Sequence, residues 1–168
     1  MKIENSEIVP MYQIVHGMAG VAIGSRLGSP ILAFVLGIIS HFVLDAIPHD
    51  SLEARDWENN GTASFVKKIA LEAIIDLWIL IILLLIMQEG FKIYLSYSMI
   101  AGLIGGILPD YIWGLTELFK IKNQALEKFK AWHTGIHTLI FKPIYLSLKY
   151  TAVIQIITLA VLVVLMNK

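Results

Sequence analysis

The sequence predicts an all-α integral membrane bundle, a single domain of about five transmembrane helices. Three observations predict it. Of 168 residues, 57% are hydrophobic and only 15% charged, with a mean hydropathy of +0.74; a soluble domain is nearer half apolar and a quarter charged. Long apolar runs alternate with short polar stretches. The ionisable residues inside those runs gather toward one end of each.

Residues 11–28 give the first span, short or re-entrant. Gly17, Gly20, Gly24 and Gly28 recur at three- and four-residue spacing, which weakens a soluble helix but lets membrane helices approach closely. Residues 30–47 form the second span, uncharged until Asp45. The segment 48–67 is a solvated loop carrying Asp50, Glu53, Arg55, Asp56 and Glu58, with a short helix after Pro48. Residues 68–88 are the clearest span, yet contain Glu72 and Asp76, four apart on one face. A tight turn is expected at 89–92. Residues 93–118 make the fourth span, with a kink expected at Pro109, just before Asp110. The segment 119–142 is basic and amphipathic, and Gly135 argues against a strong helix around His133 and His137. Residues 144–166 form the fifth span.

Five spans place the N-terminus and the segments 48–67 and 119–142 on one side. That side holds Lys2, Arg55, Lys67, Lys68, Lys120, Lys122, Lys128, Lys130 and Lys142, against Arg26, Lys92 and Lys168 on the other. The excess of basic residues predicts a cytoplasmic N-terminus in the inner membrane. With that orientation all five histidines and most intramembrane carboxylates converge on the cytoplasmic leaflet. The N-terminal residues lack a basic n-region, so no cleaved signal peptide is expected.

The formal net charge is zero, which gives no global attraction to nucleic acid. With no cysteine, disulfides, thiolate metal sites and a cysteine nucleophile are excluded. The glycines lack the Lys-Ser/Thr of a nucleotide-binding loop. Any metal site must use His, Asp and Glu.

His41 and Asp45, four apart on a helix, present two donors to one ion, and His49 extends that face if the helix passes Pro48. Asp76 and Asp110 are carboxylates inside apolar spans, where each costs about 2.5–3.5 kcal/mol at the bilayer centre unless partnered. His133 and His137 form a second pair at four-residue spacing, and His16 opens the first span. The candidate ligands are therefore His16, His41, Asp45, His49, Asp76, Asp110, His133 and His137, for one or two divalent cations, zinc or manganese. Each has a plainer reading: His41 a core histidine bonded to Asp45, Asp76 and Asp110 bonded to a neighbouring helix, the remaining histidines interfacial. Asp50 is a candidate general base beside such a site.

The pattern His16-Gly17, Ser40-His41-(x3)-Asp45 with Pro48-His49, Leu108-Pro109-Asp110 and His133-Thr134-Gly135-Ile136-His137-Thr138 resembles the membrane-bound metal-dependent hydrolases. These are small multi-span proteins with an HxxxD pair, a Pro-Asp motif and an HRGxTHS-like segment. Thr134 and Ile136 stand where that family tends to have Arg and Thr, and Tyr111-Ile112 follow Asp110 without the usual second Asp. The resemblance implies metal ligation by His41, Asp45, Asp110, His133 and His137. The expected function is hydrolysis at the cytoplasmic leaflet of a lipid or lipid-linked phosphate or ester, with membrane lipids as surroundings and the basic segment 119–142 holding an anionic headgroup. The alternative is a non-enzymatic divalent-metal-binding or structural membrane protein. Transport is disfavoured because the outer half of the bundle offers no polar path.

Overall fold

The fold is that of a computed structural model, which describes residues 13–46, 62–136 and 148–166. Among the described residues there are six α-helices and no strand: α1 (Gln13–Ser25), α2 (Pro30–Asp45), α3 (Thr62–Phe91), α4 (Tyr97–Leu118), α5 (Gln124–Ile136) and α6 (Leu148–Met166).

The helix at the centre is the shortest apolar one. Every residue of α1 from Ile14 to Val21 is enclosed, including His16, Gly17 and Gly20. Glycine makes this possible. A Cβ on Gly20 would overlap the carbonyl of Gly102 on α4, and one on Gly24 the carbonyl of Ser98. The same close fit joins α2 to α4, where a Cβ on Gly105 would overlap the carbonyl of Phe34. Backbone therefore packs on backbone, and close dispersion contacts between helices hold these faces together. The sequence anticipates close packing in residues 11–28; the structure places its partner in the glycines of the fourth span.

α2 starts cleanly, with the Ser29 hydroxyl accepting from Leu32 N and Pro30 in the first turn. Its buried residues are Ala33, Gly37, His41 and Asp45, a strict four-residue stripe. Ile31, Val35, Ile39 and Val43 face outward and are exposed. α3 is longer than expected, 30 residues, and continues through Gly90 to Phe91. The turn expected at 89–92 lies instead at 92–96, opened by Lys92 at φ 56°. Leu80 and Met87 of α3 join Ile14, Val15 and Met18 of α1 in the apolar core, against Leu159 and Leu162 of α6.

α4 is capped by Ser96, whose Oγ accepts from Met99 N at 3.2 Å, and runs unbroken to Leu118 with Pro109 inside it. It ends in a Schellman turn: Ile121 N donates to Thr116 O and Lys120 N to Glu117 O, with Lys120 in the left-handed region at φ 51°. α5 is capped by Asn123, whose Oδ1 accepts from Ala125 N at 2.9 Å. It is described to Ile136 and includes Gly135, so the weakening expected there does not end the helix before His133; a Cβ at Gly135 would meet open space.

The contacts fix an up-and-down arrangement. Gly24 lies against Ser98 at one end, His16 against Gly106 toward the other, and Arg26 donates to the carbonyl of Leu165 near the end of α6. Asp76 of α3 meets the start of α1. α1, α2, α3, α4 and α6 therefore alternate in direction, and α5 lies across the end where α2 finishes.

Five membrane spans are not all matched by length. Ala73–Phe91 and Tyr97–Leu118 are long and apolar enough to cross a membrane, while Pro30–Asp45 and Val153–Met166 are shorter apolar helices. At 13 residues, α1 is only about 20 Å long, against roughly 30 Å of hydrocarbon.

Candidate metal centre

Four side chains from three helices aim their donor atoms at one point. α2 supplies His41 and Asp45 from the last two turns of its buried stripe. α4 supplies Asp110, directly after Pro109. α5 supplies His133 from its last turn. One ligand atom from each lies within 4.8 Å of the other three.

The individual distances are informative. His41 Nε2 is 3.0 Å from Asp45 Oδ2, 3.1 Å from His133 Nε2 and 3.5 Å from Asp110 Oδ1. His133 Nε2 is 3.5 Å from Asp45 Oδ2 and 3.4 Å from Asp110 Oδ1. Bonds of about 2.0–2.1 Å to a tetrahedral ion put its ligand atoms about 3.3 Å apart. Five of the six edges of this tetrahedron thus have the length a small divalent cation would impose.

The tautomer agrees. His41 Nδ1 lies 2.8 Å from the carbonyl oxygen of Gly106. A carbonyl only accepts, so Nδ1 carries the proton, and in the neutral ring Nε2 presents a lone pair to the centre. His41 and Asp45 are essentially fully buried. Two carboxylates and two neutral imidazoles carry a charge of −2, which a divalent cation would balance. Burying them without it requires protons on the imidazoles, as an ion-pair network, or on the carboxylates. The donor set therefore fits a divalent metal, and the group could hold one.

Around the four stands a defined second layer. The His16 ring lies 4.3 Å from that of His41, with Nε2 3.3 Å from Asp45 Oδ1. Asp45 thus offers one oxygen to the centre and the other to His16. Phe42 and Phe129 rings lie 5.8 Å from that of His133. Trp132 packs on Phe42 at 4.5 Å while remaining 54% exposed, which ties α5 to α2. Lys130 ties α5 to α4, with Nζ 2.6 Å from Glu117 and 2.9 Å from Glu127. The Glu117 carboxylate holds the Lys130 ammonium above its ordinary range. Lys130 is thus engaged within the protein, whereas Lys120, Lys122 and Lys128 are exposed.

Of the sequence-derived candidates, His41, Asp45, Asp110 and His133 come together, and His16 stands behind Asp45. Asp76 is placed differently: its Oδ2 accepts from Ile14 N at 2.9 Å, where the first turn of α1 exposes unpaired amides. It serves α1 as an N-terminal cap from another helix. The Glu72 side chain, His49, Asp50 and His137 lie outside the described residues. The Gly106 carbonyl was not anticipated; a backbone acceptor leaves no mark in the sequence.

Among the described residues, a cavity reaches Asp110 at the edge of the centre. It has a volume of about 220 Å³ and lies between α3 and α4, lined by the apolar Ala73, Leu77 and Trp113 and by the polar Gln13, Asp110, Tyr111 and Glu117. Asp110 is correspondingly 26% exposed where His133 is 6% and His41 0%.

Comparison with family models, with curated proteins and with solved structures gives no match for this chain.

Proposed function

We propose that this protein is an integral membrane metal-dependent hydrolase, with its site at the cytoplasmic leaflet and a lipid or lipid-linked phosphate or ester as substrate. The convergence of His41, Asp45, Asp110 and His133 carries this reading. Membrane insertion is supported by the exposed character of the apolar helices. Only 17% of the Ala73–Phe91 window is buried, and Ile75, Trp78, Ile82 and Ile86 are all about half exposed or more. A soluble core helix would be mostly enclosed, and hydrocarbon around this face would account for its exposure. The excess of basic residues on the side of the site supports its cytoplasmic placement.

In this reading His41, Asp45, Asp110 and His133 hold the ion, zinc or manganese. Gly106 O and His16 orient His41 and Asp45. Bound there, the metal would supply a water of lowered pKa and a Lewis acid. The chain's own contribution is to fix the donors, keep the far side of the centre dry with Phe42 and Phe129, and leave Asp110 open to the cavity. Asp50, five residues after the end of α2 in the sequence, is the carboxylate proposed as general base.

A second reading is favoured by the short His–Asp contacts themselves: a structural cation or a charged His/Asp network pinning α5 onto α2 and α4. Elemental analysis of detergent-purified protein, beside the His41→Ala/Asp45→Ala double variant, separates them. Near-stoichiometric zinc or manganese, lost in the variant, followed by turnover in a screen of lipid phosphates and esters, supports the hydrolase. Metal without turnover supports the structural cation. No metal after purification without chelators and with both ions added removes the metal from either role.

A further inference from the structure

We propose that the end of the bundle formed by the α4–α5 turn and the exposed face of α5 is a binding surface for the anionic phospholipid headgroups of the membrane. This rests on the membrane reading above and not on the presence of the metal. Three observations carry it.

The first is uncommitted positive charge at one end. Lys120, Lys122 and Lys128 are exposed and form no ion pair among the described residues. The carboxylates nearest in sequence, Glu117 and Glu127, are both taken by Lys130. The opposite end of the bundle differs. There Lys92 lies 3.8 Å from Glu89, and Arg26 donates to the carbonyl of Leu165. An anionic surface is therefore drawn to the α4–α5 end.

The second is what lies between the charges. Phe119 and Ile121 alternate with Lys120 and Lys122, and both are exposed, Phe119 by 68%. On α5, Lys128 and Trp132 are four residues apart and share one exposed face, while Phe129 and His133 pack on each other. A hydrophilic polyanion would meet the lysines and leave Phe119 and Ile121 in water. A lipid surface takes both kinds of group. The apolar side chains enter the boundary of the hydrocarbon, and the ammonium groups reach the phosphates.

The third is register. The 22 residues Tyr97–Leu118 rise about 33 Å, close to the roughly 30 Å of bilayer hydrocarbon. Tyr94 and Tyr97 are exposed at the start of that helix, Tyr97 by 85%, as aromatic residues are at a membrane boundary. Ile100, Ile104, Leu115 and Leu118 are exposed along it. With the tyrosines at one boundary, Lys120 and Lys122 stand at headgroup depth at the other, and α5 lies across that end with Lys128.

The test uses the full chain in nanodiscs of phosphatidylcholine and phosphatidylglycerol, with Trp57, Trp78 and Trp113 changed to Phe so that Trp132 is the one indole. Either lipid is supplied with bromine on its acyl chains near the glycerol, and quenching of Trp132 reports which lipid lies beside it. The expected result is a preference for phosphatidylglycerol of at least about fivefold, falling to near unity in Lys120→Gln/Lys122→Gln/Lys128→Gln. Salt at about 1 M should weaken it likewise, because the screening length falls to about 3 Å. Lys92→Gln, at the opposite end, should leave it unchanged. Equal quenching by the two lipids in the protein with all its lysines overturns the proposal, and so does a preference that survives the triple substitution. Loss of the preference on adding poly-glutamate at equal charge also overturns it, since the surface would then suit an acidic protein better than a membrane. Flotation with vesicles after a carbonate wash tests the membrane reading separately. A chain that floats without lipid preference keeps that reading and loses the headgroup surface; a chain that does not float loses both.

Discussion

His41 Nδ1 donates to the carbonyl of Gly106 at 2.8 Å, and Gly106 can stand there only because it has no side chain. A Cβ on Gly106 would overlap the carbonyl of His16 on α1. The glycine packing and the metal centre are therefore one construction. Glycines let α1, α2 and α4 approach to backbone contact, and that approach brings a backbone acceptor within reach of the imidazole. Gly106→Ala should separate α1 from α4 and cost about 1–3 kcal/mol, with metal affinity falling alongside. Gly114→Ala, in open space, should stay within about 0.5 kcal/mol of native stability. Thermal unfolding in detergent and metal titration on both variants check this, and equal behaviour of the two would count against the packing account.

His16 and His133 should behave differently. Only His133 is among the four residues whose donor atoms converge; His16 reaches the centre through Asp45. His133→Ala removes a donor and should abolish stoichiometric binding. His16→Ala should weaken binding by about 10–100-fold without abolishing it, as loss of an orienting partner does. Competition with a chromogenic chelator measures both affinities. Equal loss would make His16 a ligand.

Asp76 is expected to matter for α1 and not for the metal. Its carboxylate accepts from Ile14 N, at the positive end of a buried helix. Asp76→Ala leaves those amides unpaired and should cost about 1–2 kcal/mol, with metal content unchanged. Loss of metal together with preserved thermal stability would place Asp76 at the centre instead.

Much of this was legible in the sequence, and the limits are physical. Four-residue spacing identifies the His41/Asp45 pair because a helix repeats every 3.6 residues. The alternation of spans gathers the ionisable groups at one end, and the structure places His16, Asp45, Asp110 and His133 there. What spacing does not encode is the partner. Asp76 and Asp110 look alike as carboxylates in apolar spans, yet one meets amides and the other imidazoles. The enclosure of α1 was hidden because its glycines announce a close neighbour without saying how many helices surround it. Helix continuity through Gly135 follows from the local cost of glycine, about 1 kcal/mol, being small beside the contacts of His133 and Trp132 on the same helix.

Acidification should distinguish a metal centre from a charged network, because the two respond with opposite sign. Metal binding needs both imidazoles neutral, so protons compete with the ion and affinity falls as pH falls. A titration from about pH 7.5 to about pH 5.5 should weaken binding by about tenfold or more. A network of protonated histidines with Asp45 and Asp110 would instead hold best in acid and loosen as pH rises. Protein prepared without metal should therefore gain thermal stability on mild acidification, while the metal-loaded protein loses it. Unfolding temperatures of both forms across that range provide the check. Parallel pH curves for the two forms would mean that no ion is bound between His41 and His133.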